Sequence, residues 1–165
     1  MDRPVEILLV EDNPGDVRLL QEAFKECQLP HRLQVVNDGD KALACLQRFA
    51  ADAQAVRPDL MVLDLHLPCK NGWEVLAGLK EIPALHSLPV ILLSAGLTPS
   101  DEEQRAALRP TLYLQKPGTW EAYFRLAQAI GEFWAAFSRL PFTRHAQPLS
   151  KTWLAGFASC CVLSR

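Results

Sequence analysis

The chain has 165 residues, 49% apolar and 22% charged, with a net charge of −2, which fits one soluble globular domain plus an appendage. It carries no basic stripe of the kind a nucleic-acid reader shows, and no apolar run approaches the roughly 18 residues of a membrane span. The first apolar run, Ile7 to Val10, is too short for a signal peptide. The five cysteines, Cys27, Cys45, Cys69, Cys160 and Cys161, are odd in number and lack metal-ligand spacing, so a reduced, cytoplasmic protein is expected.

In chain order, Val5 to Val10 reads as a buried strand ending on Glu11-Asp12. Asn13-Pro14 then starts a helix, with Asn as N-cap and Pro at the first position. Val17, Leu20, Ala23, Phe24 and Cys27 recur at helical spacing, and Leu29-Pro30 stops the helix. Leu33 to Val36 is a short second strand. After Asn37-Asp38-Gly39, a second helix carries Ala42, Leu43, Leu46 and Phe49 on one face, and residues 50–58 are a connector. Leu60 to Leu63 is an unbroken apolar run, as expected of a strand buried on both faces of a parallel sheet, and it runs straight into Asp64. A short third helix spans about Gly72 to Lys80. A fourth strand, Leu88 to Leu93, ends on Ser94-Ala95-Gly96. Thr98-Pro99-Ser100-Asp101 opens a fourth helix to about Leu108. Leu112 to Leu114 is a fifth strand ending near Lys116-Pro117, and a long fifth helix runs from about Thr119 to Leu140.

Strands alternating with helices five times predict an α/β fold: a parallel sheet with helices on both faces. The carboxyl ends of the strands, where ligands bind in open α/β sheets, would then gather Glu11, Asp12, Asp64, Ser94 and Lys116. Three clustered carboxylates repel one another unless a positive charge sits among them. Mg²⁺, which takes oxygen ligands and keeps several waters, suits such a cluster. A lysine adds a point charge for phosphate, and an aspartate nucleophile attacking phosphorus gives an aspartyl phosphate. Each residue also has a structural reading. A strand-end aspartate serves as a cap, Glu11-Asp12 offset a helix dipole, and Ser94 and Lys116 alone say little. Their joint arrival at the ends of strands one, three, four and five is what points to chemistry.

These motifs resemble the receiver domain of two-component response regulators. Val10-Glu11-Asp12, Asp64-Leu65-His66-Leu67-Pro68 with Gly72, Ser94-Ala95, Tyr113 and Lys116-Pro117 carry the likeness, over about Val5 to Phe137. It implies a flavodoxin-like sheet of strand order 2-1-3-4-5. It implies Asp64 as phosphoacceptor, Asp12 as direct Mg²⁺ ligand, Glu11 acting through a water, and the main-chain carbonyl of His66 completing the protein ligands. It also implies Ser94 as the hydroxyl that moves to the phosphoryl group, Tyr113 as the aromatic that swings with it, Lys116 as the phosphate's partner, and a cis bond before Pro117. Glu11 to Leu19 resembles the single-domain regulators that partner bacterial phytochrome-type histidine kinases. Three departures stand out: His66 two places after Asp64, Gly96 two places after Ser94, and Leu108-Arg109-Pro110-Thr111 where a glycine-containing approach to strand five is usual.

The expected organisation is a receiver domain over 1–140 and a C-terminal extension over 141–165. Output is expected on the face made by the fourth helix, fifth strand and fifth helix, as a homodimer. On the fifth helix, Tyr123, Leu126, Ile130, Trp134 and Phe137 form the stripe over the sheet, at about 100° per residue. Trp120, Phe124, Ala127 and Gly131 form a second facet, which with Tyr113 makes the expected interface. The alternative for that facet is cover by the chain's own tail. Two other functions stay open at this stage: a pseudo-receiver acting purely as an interaction module, and an aspartyl-phosphate phosphatase with His66 as its acid-base group.

Overall fold

The apolar runs form one five-stranded parallel sheet of order β2-β1-β3-β4-β5. The structure is a computed structural model and describes residues 3–138. Its elements are β1 (Val5–Val10), α1 (Pro14–Glu26), β2 (His31–Val36), α2 (Gly39–Ala51), β3 (Leu60–Asp64), α3 (Gly72–Lys80), β4 (Val90–Ser94), α4 (Pro99–Leu108), β5 (Leu112–Gln115) and α5 (Trp120–Phe137), with a 3₁₀ turn at Pro83–Leu85. The expected C-terminal extension, and the end of the fifth helix at Leu140, lie outside the described residues. No helix among the described residues is long and apolar enough to cross a membrane.

The sheet separates two apolar layers. One packs α1 and α5 on the sheet through Leu20, Phe24, Tyr123, Ile130 and Phe133. The other packs α2 and α3 through Leu46, Phe49, Trp73 and Leu76, with Leu108 of α4 at its margin. Every residue of β3 and β4 is buried, as a central parallel strand requires. Edge strand β2 has only exposed and half-buried residues. It starts at His31 rather than Leu33 because pairing with β1, Val5 opposite His31 through Val10 opposite Val36, sets its length more than burial does.

Local chemistry places the helix starts. The Asn13 side chain accepts from the Gly15 and Asp16 N–H groups, and Asn71–Glu74 and Thr98–Asp101 each form a capping box. Helix α4 ends at Leu108 as expected, but by an unusual route. Arg109 takes the left-handed conformation at φ 47°, ψ 71°, a place where glycine is the common residue.

Gly72 opens α3 directly beneath the end of β3. A Cβ there would lie 2.6 Å from the Asp64 carbonyl oxygen and 2.9 Å from Leu65 Cα, both backbone atoms that cannot turn aside. Gly72→Ala is expected to cost about 1–3 kcal/mol of stability, read as a lower urea midpoint. An unchanged midpoint would show that the turn after Asp64 yields freely.

Candidate functional site

Parallel register decides which residues emerge together at the carboxyl edge. Val10 lies opposite Leu63, Asp64 opposite Leu93, and Ser94 opposite Gln115. Pairing continues one residue beyond the strands. Glu11 N–H donates to Val36 O, Leu65 N–H to Leu93 O, and Lys116 N–H to Ser94 O. Glu11, Asp12, Asp64, Ser94 and Lys116 are thereby brought to one edge, as the order of the strands requires.

Glu11 and Asp64 are buried, only 4% and 3% exposed, while Asp12 faces solvent. Oxygen atoms of the three carboxylates lie within 4.8 Å of one another. An all-oxygen set, closed on two sides and open on the third, fits a hard divalent cation that keeps some of its waters. The His66 N–H donates to Asp64 Oδ1 at 3.3 Å, so the main chain that carries the His66 carbonyl runs beside the same carboxylate.

Lys116 Nζ supplies the positive charge. It lies 2.8 Å from Glu11 Oε2, 2.9 Å from Asp64 Oδ2 and 2.9 Å from Asp16 Oδ2. Burial works against the ammonium, but the hydrogen bonds it donates to Glu11, Asp16 and Asp64 overcome it and hold its pKa above that of an ordinary lysine. Burial pushes the Glu11 carboxyl up, against the lowering effect of Lys116 and the Asn13 N–H. The peptide bond before Pro117, expected cis, is trans, since the described residues contain no cis bond. Trans is the form such bonds favour intrinsically.

Ser94 is fully buried and turned onto its own loop, donating to Gly96 O and accepting from Gly96 N–H at 3.2 Å. Tyr113 is half-buried. Its hydroxyl is enclosed and has no hydrogen-bond partner among the described residues. Burial raises that phenol's pKa, against the lowering effect of the nearby Ser94 hydroxyl. The Arg105 guanidinium of α4 lies over its ring at 5.7 Å.

Two features of this edge were not read from the sequence. Asp16, in the first turn of α1, reaches Lys116; in the sequence it looks like an ordinary first-turn acid facing the helix dipole. Trp73 Nε1 donates to Asp101 Oδ1 at 2.8 Å, tying the start of α3 to the start of α4. A signal for the second was present in the Thr98-x-x-Asp101 capping pattern, but not the tryptophan's part in it.

The expected interface facet is corrected in two places. Ala127 is fully buried in the core. A Cβ on Gly131, itself half-buried, would meet the side chain of Leu29, in the turn between α1 and β2, at 3.6 Å. The cause is the breadth of α5's apolar surface, which packs on α1 as well as on the sheet. Phe124 is half-buried, and its carbonyl accepts from Cys27 Sγ at 3.6 Å. Trp120 remains exposed at 40%. A cavity of about 730 Å³ is lined by Arg3, Leu29, Asp59, Leu88 and Trp134 among others and includes none of the acids at the carboxyl edge.

The family model for the response regulator receiver domain matches residues 7–127. The chain is 38% identical over 138 residues to response regulator Rcp1 of Synechocystis sp., covering 84% of this chain and 94% of Rcp1. The crystal structure of the phosphorylated cyanobacterial phytochrome response regulator RcpA is similar at 40% identity and a TM-score of 0.74, covering 84% of this chain and 99% of RcpA. The crystal structure of the Mn(2+)-bound form of Rcp1 is similar at 38% identity and a TM-score of 0.72, covering 84% of this chain and all of that one. A family model that spans most of the sheet, and relatives at this identity along nearly their whole length, show that the chain belongs to the response regulator receiver-domain family.

Proposed function

We propose that this chain is a stand-alone cytoplasmic response regulator that accepts a phosphoryl group on Asp64 from a histidine kinase of the phytochrome type. One observation carries the reading: Asp64 is buried at the end of β3 among Glu11 and Asp12, with Lys116 Nζ 2.9 Å away. The phytochrome-type partner is supported by the similarity to RcpA.

In the transfer, an Asp64 carboxylate oxygen bonds to phosphorus as the phosphorus–nitrogen bond of the donor phosphohistidine breaks. Mg²⁺ held by Glu11, Asp12, Asp64 and the His66 carbonyl would neutralise charge on the transferring oxygens. Lys116 releases Asp64 and turns its ammonium to the phosphoryl group. The Ser94 hydroxyl leaves Gly96 O and donates to a phosphoryl oxygen. Tyr113, whose hydroxyl has no partner to give up, follows Ser94 and carries the change to the surface of β5.

Incubation with acetyl phosphate and Mg²⁺ should add one phosphoryl mass to the wild type and none to Asp64→Asn, read by intact-mass spectrometry. Chelation of the metal should abolish the addition. Equal labelling of the two proteins would remove Asp64 from its role.

Lys116→Ala and Ser94→Ala should separate. The lysine variant loses transfer, or its coupling to shape. Ser94→Ala keeps the acids and lysine in place and should still be phosphorylated, while the change at Tyr113 is lost. Tyr113 fluorescence or NMR shifts, followed alongside intact mass, would test this. Ser94→Ala failing as completely as Asp64→Asn would refute the division.

Output runs through the α4–β5–α5 face as a homodimer, with Tyr113, Trp120 and Phe124 as its apolar contacts. The support is that Trp120 is among the few exposed large apolar side chains and no α4 residue is buried. Sedimentation should give a wild-type dimer that Trp120→Glu weakens at least ~10-fold, about the loss of one hot-spot contact. A wild-type monomer with and without phosphoryl would refute the dimer.

A further inference from the structure

We infer that Asp16 is a positioning residue for Lys116: it holds the ammonium when a divalent cation takes Glu11 and Asp64, and so sets the cation affinity of the site. The inference rests on the reading of Glu11, Asp12 and Asp64 as that cation's ligands.

A lysine ammonium has three N–H donors and no acceptor. At Lys116 all three are engaged, one each by Glu11 Oε2, Asp16 Oδ2 and Asp64 Oδ2. Two of those carboxylates belong to the acid cluster and the third does not. A cation drawing on Glu11 and Asp64 therefore competes with Lys116 for the same side chains. The lysine has little recourse to water, since its side chain is only 16% exposed. An ammonium left there without partners is costly. With Asp16 present, one charged partner remains after the other two are surrendered. Without it, Lys116 must keep Glu11 and Asp64 from the cation or stand unpaired.

The surroundings of Asp16 on α1 and α5 bear on its position as well. Tyr123 of α5 is 3% exposed, and its hydroxyl is enclosed with no hydrogen-bond partner of good geometry. Burial first, and the Asp16 carboxylate next, raise the phenol's pKa. The Asp16 N–H donates to the Asn13 N-cap oxygen at 3.4 Å, in the first turn of the helix.

The test is a double-mutant cycle on cation affinity. MgCl₂ is titrated by calorimetry into wild type, Asp16→Asn, Lys116→Met and the double variant, with Asp16→Glu as the conservative replacement. Asp16→Asn should weaken Mg²⁺ binding about 3- to 10-fold in the wild-type background, the range of coupling within one ion-pair network. Asp16→Glu should recover most of that loss. In the Lys116→Met background, Asp16→Asn should change the affinity by less than about 2-fold, because no ammonium is left to hold. An equal loss in both backgrounds would overturn the inference, making Asp16 only a nearby negative charge. No loss in the wild-type background would also overturn it, while leaving the cation site standing. A wild type that binds no Mg²⁺ would overturn both the inference and the cation reading beneath it.

Discussion

One half-buried ammonium among three carboxylates sets the character of this molecule. Two nearly inaccessible acids at the end of a parallel sheet would not both stay ionised unaided, because burial and mutual repulsion disfavour their charge together. Lys116 resolves that conflict by filling all its donors with carboxylate oxygens. The arrangement is stable but replaceable. Any species that offers the acids a better positive charge, or offers the lysine a better negative one, can exchange with it. A hard cation and a phosphoryl group are those two species, so the resting ion pairs and the proposed chemistry are alternative ways of neutralising the same charges.

The sheet makes the arrangement possible, and most of it was legible from the sequence. Buried parallel strands read as unbroken apolar runs, and here each run stops where a polar residue begins: Val10 before Glu11, Leu63 before Asp64, Leu93 before Ser94. Since all strands run the same way, every stop lands on the same edge. The parallel sheet and the acid edge could therefore be read without knowing how the helices pack, while the strand order came from the family resemblance. What depended on that packing could not be read. Asp16 and Lys116 are a hundred residues apart in the chain and meet only because α1 presents that particular side of its first turn to the end of β5. Ala127 and Gly131 looked like a free facet because periodicity shows how wide an apolar face is, not how many neighbours share it; α1 shares this one. The edge strand β2 was read short for the opposite reason: it is held by main-chain pairing, which leaves no apolar signature.

The departures from the family pattern have local explanations. The chain reaches β5 without the glycine usual there, and Arg109 adopts the left-handed conformation itself, at a cost of roughly 1–2 kcal/mol for a residue with a Cβ. Its Nε donates to Ala106 O at 3.4 Å, and Pro110 follows, which cannot continue a helix. The helix end is thus fixed by what comes after it. His66 and Gly96 both border the acid edge, His66 exposed and Gly96 with no atom within 4 Å of where a Cβ would stand. Neither closes the approach to Asp64.

Helix α4 is where the edge and the surface are joined at least cost. Segments that bury little apolar surface open or shift most readily, and none of α4's residues is buried. Apart from Leu108 at the margin of the core, its ties are polar. Asp101 accepts from Trp73 Nε1 on one side and closes the cap with the Thr98 N–H on the other, while Arg105 rests on the Tyr113 ring. Each tie begins at a residue attached to the site: Trp73 follows Gly72 on the turn beyond Asp64, Thr98 ends the loop that starts at Ser94, and Tyr113 lies opposite Leu92, two residues before that serine. A rearrangement at Ser94 would thus act on α4 through Thr98, and one at the β3 turn through Trp73. Both meet at the single carboxylate of Asp101. Because that carboxylate caps the helix and also holds the tryptophan, moving the β3 turn alters the cap, and moving the cap alters the turn. The coupling needs no rearrangement of the core, whose close packing resists small continuous shifts. It needs only a helix that the core has left largely free.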